Sequence, residues 1–160
     1  LLSQNINSII NLSSQEIIEK VIVRCAQSKV NIIIEDEFEN DKRRILNFGH
    51  TIGHALEAYF NFDKLRHGEA VAYGMIAAAK LSVLFSNFEK ENYNLLIEMI
   101  ENLSLPKLSN LESYKILKIL KNDKKIKLGQ VHFILLDDIG QTVIRNDIND
   151  DSIIKVIDSL

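Results

Sequence analysis

The stretch GEAVAYGMIAAAKLSVLF, residues 68–85, is what most limits how this chain can fold. It is rich in alanine and apolar nearly all round, and a helix of that kind has to be buried on most of its sides. The neighbouring chain must then supply a jacket of further elements around a spine helix over about 69–85. With 160 residues, 46% of them hydrophobic, one core of ordinary size suffices and nothing demands a second.

The jacket reads as mainly helical. LLSQNINSII has the look of the end of an amphipathic helix and carries no initiator Met, as a piece of a longer protein would. Ser13 and Glu16 form the S-x-x-E pattern of a capping box ahead of Ile17, Ile18, Val21, Ile22 and Cys25 at helical spacing, which predicts a helix over about 14–33. The acidic-to-basic run EDEFENDKRR reads as a solvated loop. A second helix is expected over about 44–59, and two amphipathic helices over about 89–103 and 111–120, separated by Pro106. VHFILL and QTVIR, divided by DDIG, have the β-branched content and the turn glycine, Gly140, of a hairpin. A short final helix is expected to be capped by Asp150 or Asp151. The fold class is thus a mainly α, multi-helix domain with one small β-hairpin, without internal repeats or low-complexity tracts.

Charge and cysteine usage remove several classes of function. A net charge of -3 and a pI near 5.8 leave no broad basic surface for nucleic acid, and the run KNDKKIK is too short to make one. The single cysteine, Cys25, excludes an internal disulfide framework, fits a reducing compartment and is expected in the core. No uninterrupted apolar run approaches the ~20 residues of a membrane span, and no charged-then-apolar leader opens the chain. A cytoplasmic protein without membrane or nucleic-acid partners is expected.

Polarity reappears where a core stripe belongs. On one continuous helix, Arg43, Asn47, His50, His54 and Glu57 fall at steps of four, three, four and three and share a face. Gly49 and Gly53 would lie inside that helix at roughly 1 kcal/mol each relative to alanine, a cost that close approach of another backbone or a ligand explains. A solvent-facing stripe accounts for one histidine; three of the chain's four histidines, with two glycines, point to a site. Imidazoles at His50 and His54 can reach one zinc ion, with His67 on the HGE turn as a further ligand. The residues between them, TIG, lack the general-base Glu of H-E-x-x-H, which argues against a metalloprotease. His132, alone in VHFILL, is expected to be a packed or surface strand residue.

LNFGHTIGHALE followed by HGEAVAYGM resembles the signature of the 3-dehydroquinate synthases, sugar-phosphate cyclases of the shikimate pathway. KVNIIIEDEFENDKR and NDKKIKLGQVHFILLDDIG are similar to further stretches of that family, so the resemblance covers nearly the whole chain. It implies that residues 1–160 are the C-terminal, metal- and substrate-binding helical domain of a two-domain enzyme, whose Rossmann-like N-terminal domain is absent. That domain would carry the NAD site and a zinc-binding glutamate. His50 and His67 match the family's zinc-binding histidines, with Zn2+ or Co2+ as the metal, and His54 matches a substrate-contacting acid/base residue rather than a ligand. Glu39 matches a proton acceptor; Lys29, Arg43 and Asn47 match residues that hold the substrate's anionic groups or hydroxyls, and either Lys124 or Lys125 the final lysine contact. Asp41 stands where the family often has glycine.

The implied reaction converts 3-deoxy-D-arabino-heptulosonate 7-phosphate to 3-dehydroquinate and phosphate, by oxidation with NAD, elimination, reduction and an intramolecular aldol step. A homodimer is also implied. The residue types suit this chemistry: zinc on neutral imidazoles polarises an alcohol, arginine clamps an oxyanion bidentately, and histidine titrates near the working pH. The alternatives are another sugar-phosphate cyclase, a metal-dependent polyol dehydrogenase, and a non-catalytic helical interaction module. Arg43 and Lys29 favour a phosphorylated substrate over the dehydrogenase, and zinc uptake separates enzyme from module.

Overall fold

The computed structural model describes residues 1–38, 42–122 and 131–160. In chain order the elements are α1 (Leu2–Ile10), α2 (Gln15–Glu35), a 3-10 helix (Lys42–Asn47), α3 (His50–Tyr59), α4 (His67–Phe85), α5 (Lys90–Glu101), α6 (Ser113–Lys121), β1 (Phe133–Asp138), β2 (Gln141–Arg145) and α7 (Asp150–Asp158). The apolar segment is the spine, as its composition requires: α4 starts where the Glu69 carboxylate accepts the Arg66 N–H at 2.8 Å, and it packs against α3, α5, α7 and β1. Its Ala70, Ala77 and Ala78, with Ile52 and Leu56 of α3, Ile116 and Leu120 of α6, Leu135 of β1 and Ile153 and Ile157 of α7, belong to the main core. Each large side chain buried there contributes about 1.5–3 kcal/mol.

The fully buried hydroxyl of Ser82 is used twice. The Ser82 hydroxyl donates to the Ala78 carbonyl at 2.7 Å and accepts the Leu136 N–H at 2.8 Å, which docks β1 on the spine. β1 and β2 pair antiparallel with Leu135 opposite Val143, and Gly140 turns between them at φ +81°. By length and hydropathy α4 is apolar enough to cross a membrane, although Glu69 and Lys80 interrupt its apolar run; half of that stretch is buried inside the domain, which accounts for the composition.

Three local expectations are corrected. The helix expected over 44–59 is broken: a 3-10 helix ends at Asn47, Gly49 takes a left-handed φ of +81°, and α3 starts at His50. The cap of α2 is Ser14, whose hydroxyl accepts the Ile17 N–H, and that of α7 is Asn149, whose side chain accepts the Ser152 N–H at 2.9 Å. Cys25 is exposed rather than in the core, because none of α2 is buried by the described residues. Its Val23, Val30 and Ile34 share a solvent-facing stripe.

The crossing of α3 over α4 positions the site. A Cβ on Gly49 would lie 2.6 Å from the Met75 side chain and 2.8 Å from the Val71 carbonyl oxygen, and one on Gly53 would lie 3.1 Å from the Ala70 carbonyl oxygen. A Cβ on Gly74 would overlap the Gly49 carbonyl oxygen. The two main chains touch directly, which only glycine permits.

Candidate metal centre

The crossing stacks the first turn of α3 beside the first residue of α4. His50 and His54 project one turn apart from α3, and His67 opens α4 across from them. Their donor atoms all lie within 4.8 Å of one another, with ring centroids 5.4, 5.3 and 5.8 Å apart. Zinc binds imidazole nitrogen at about 2.0–2.1 Å, so small side-chain rotations bring this set within reach of one ion.

Two of the rings are already oriented for that purpose. His50 Nδ1 lies 3.3 Å from the Phe48 carbonyl oxygen, and His67 Nδ1 lies 3.1 Å from Glu57 Oε1. A carbonyl and a carboxylate only accept, so these contacts favour the neutral tautomer with the proton on Nδ1, which leaves the Nε2 lone pair for a metal. Imidazoles held in this way are the usual donors of zinc sites, and the residues present fit such an ion.

The substrate residues implied by the resemblance are placed unevenly. Arg43 is half-buried in the 3-10 helix, where its N–H donates to the Asp36 carboxylate at 2.9 Å and its Nη1 to the Glu37 carbonyl at 3.0 Å. Asn47 closes the same 3-10 helix, so neither it nor Arg43 continues the α3 face; the stripe of five reduces to His50, His54 and Glu57. Lys29 is exposed on α2, which packs against the 3-10 helix. Glu39, Lys124 and Lys125 lie outside the described residues. His132 is half-buried just ahead of β1, and its carbonyl accepts the Thr51 hydroxyl at 3.2 Å, tying that segment to the first turn of α3. Sequence reasoning gave no role to Glu57 or to the Phe48 carbonyl; the only signal for Glu57 was its place three residues after His54 on the histidine face.

Solved structures share the fold that carries this arrangement. The chain superposes on a 2-deoxy-scyllo-inosose synthase complexed with carbaglucose-6-phosphate, NAD+ and Co2+ with a TM-score of 0.78 and 28% identity, over 90% of this chain and 42% of that one. It shares its fold with 2-epi-5-epi-valiolone synthase from Streptomyces hygroscopicus subsp. jinggangensis 5008, solved with NAD+ and Zn2+ bound, at a TM-score of 0.84 and 22% identity, over 99% and 44%. The fold is thus the one these two synthases share over about two fifths of their length.

Sequence comparison narrows this. The family described as 3-dehydroquinate synthase C-terminal matches residues 1–126, and the chain belongs to that family. It is 41% identical over 147 residues to the 3-dehydroquinate synthase of Crocosphaera subtropica, covering 91% of this chain and 40% of that protein. With the enzyme of Colwellia psychrerythraea the identity is 35% over 158 residues, covering 98% and 44%. The chain therefore spans about two fifths of the length of the curated relatives it matches.

Proposed function

We propose that residues 1–160 are the C-terminal, metal- and substrate-binding domain of a 3-dehydroquinate synthase, acting on 3-deoxy-D-arabino-heptulosonate 7-phosphate. The observation that carries the reading is the convergence of His50, His54 and His67 at one helix crossing, in a chain of this family. His50 and His67 hold zinc or cobalt, with a third ligand and the NAD site supplied by a Rossmann-like domain of the kind the resemblance implies. When bound, the metal would supply Lewis acidity toward the hydroxyl to be oxidised, and NAD would supply the hydride acceptor.

The chain's own residues do the rest. His54, whose donor atom lies within 4.8 Å of those of the two ligands, exchanges protons with the substrate, because a neutral imidazole carries one donor and one acceptor nitrogen and so serves both directions of transfer. Arg43 clamps an anionic group through its planar fork, Lys29 adds a compact charge, and Asn47 hydrogen-bonds hydroxyls. Glu39 accepts a proton, and Lys124 or Lys125 completes the anion site. A homodimer in the cytoplasm completes the proposal; the exposed apolar stripe on α2 supports contact with a neighbouring domain or subunit.

The test is a chimera in which this chain replaces the matching part of the Crocosphaera subtropica relative. With NAD and zinc it should release phosphate and dehydroquinate from the heptulosonate phosphate, whereas residues 1–160 alone should turn over nothing. Activity on a different sugar phosphate would move the chain to another cyclase, and activity on an unphosphorylated polyol to the dehydrogenases. In the active protein, Arg43→Ala should raise KM about tenfold or more, as expected for a lost charge-assisted hydrogen bond, with zinc content unchanged. Loss of zinc in that variant would instead make Arg43 a support of the metal centre.

A further inference from the structure

We propose that Glu57 is a positioning residue of the metal centre, which holds His67 in the tautomer and orientation that present Nε2 to the ion. The proposal rests on the reading of His67 as a ligand given above. Glu57 is buried, its side chain only 11% exposed, and its Oε1 lies 3.1 Å from Nδ1 of a ring that is 58% exposed. A carboxylate is not buried cheaply, so its partner matters. It projects from the same face of α3 as His50 and His54, and so reaches His67 from the side on which those donors lie.

A purely structural ion pair is the rival explanation, and the surrounding loop argues against it. The turn that carries the chain from α3 to α4 is closed by its own main chain, through Phe60 N–H to Leu56 O, Asn61 N–H to Ala58 O and Phe62 N–H to Glu57 O. Leu65 anchors the same turn in the core, and Lys64 donates to the Ser109 hydroxyl at 3.1 Å. The loop does not need the Glu57 side chain to hold its path. A pair with one largely solvated member adds little stability, whereas a carboxylate behind a metal-binding imidazole fixes the ring and strengthens it as a donor.

The experiment measures zinc affinity of the intact protein by competition with a chromogenic chelator, alongside thermal unfolding. Glu57→Ala should weaken zinc binding about 10–100-fold with the melting temperature little changed. Glu57→Gln, which keeps an acceptor oxygen of the same reach, should recover part of that loss. Zinc bound by folded Glu57→Ala as tightly as by the wild type would overturn the proposal. Independently of any variant, nitrogen NMR shifts of His67 in the zinc-free wild type should show the proton on Nδ1; a proton on Nε2 would overturn it equally. His67→Ala separates the two levels: unchanged zinc there defeats the metal assignment itself, while unchanged zinc in Glu57→Ala alone defeats only the role of Glu57.

Discussion

Replacing His50 with alanine will leave the active protein with little zinc and little activity. Structural zinc sites draw about 10–16 kcal/mol from four ligands, or roughly 3 kcal/mol per ligand, so losing one imidazole weakens binding by a factor of about 100 or more. His50 is also the ring that the Phe48 carbonyl holds ready, so no reorganisation of the fold is needed to bind, and none compensates its loss. His54→Ala is the informative companion, since its donor atom lies as close to the set as the others. If His54 moves protons, that variant keeps its zinc and loses turnover. Metal analysis of the purified variants decides: a full equivalent of zinc in His50→Ala removes His50 from the ligand set, and loss of zinc in His54→Ala adds His54 to it.

Among the described glycines, Gly74 should be the one whose replacement by alanine destabilises the domain most. The new Cβ would overlap the Gly49 carbonyl oxygen and sit 2.8 Å from the Gly53 nitrogen, and main chain, unlike the end of a flexible side chain, cannot swing aside. Overpacking commonly costs about 1–3 kcal/mol, and a clash with backbone belongs at or above the top of that range. For a domain of this size that lowers the melting temperature by about 10 °C or more, and zinc affinity should fall with it. Gly53→Ala, with its nearest contact at 3.1 Å, should be milder. Gly68→Ala meets nothing within 4 Å and should leave stability unchanged or slightly raised, the gain expected of alanine over glycine in a helix. Circular dichroism melts of the three variants test the order; a Gly74→Ala melt within a degree or two of wild type would mean that the two helices part easily.

Why some of this was legible in the sequence and some was not has physical causes. The spine could be read because an all-round apolar helix has one stable environment, and the hairpin because Gly140 sits between two β-branched runs. The break at Gly49 was hidden, since a glycine at a left-handed junction and a glycine inside a helix look the same in sequence, and the four-three spacing runs through both. Asn149, Asp150 and Asp151 are all good caps, so choosing among them needed the backbone. Cys25 was misplaced because helical spacing reveals an apolar face without saying what covers it. At the site, His50 and His54 declare themselves through their spacing, and the resemblance singles out His67. The bond from Glu57 to His67 joins residues ten apart in sequence across a turn that has no periodicity to read.

The direct contact of main chains at Gly49, Gly53 and Gly74 has a consequence for how this domain tolerates change. The gap between the histidines of α3 and the histidine of α4 is gauged by peptide atoms, which every amino acid shares, and not by the side chains of the core. Spine side chains that point away from this crossing do not enter that gauge, so a substitution there that conserves volume should leave the donor spacing unchanged. Three glycines thus set the distance between the donors of α3 and the donor of α4, and a variant series that retains Gly49, Gly53 and Gly74 keeps that distance under selection for other properties.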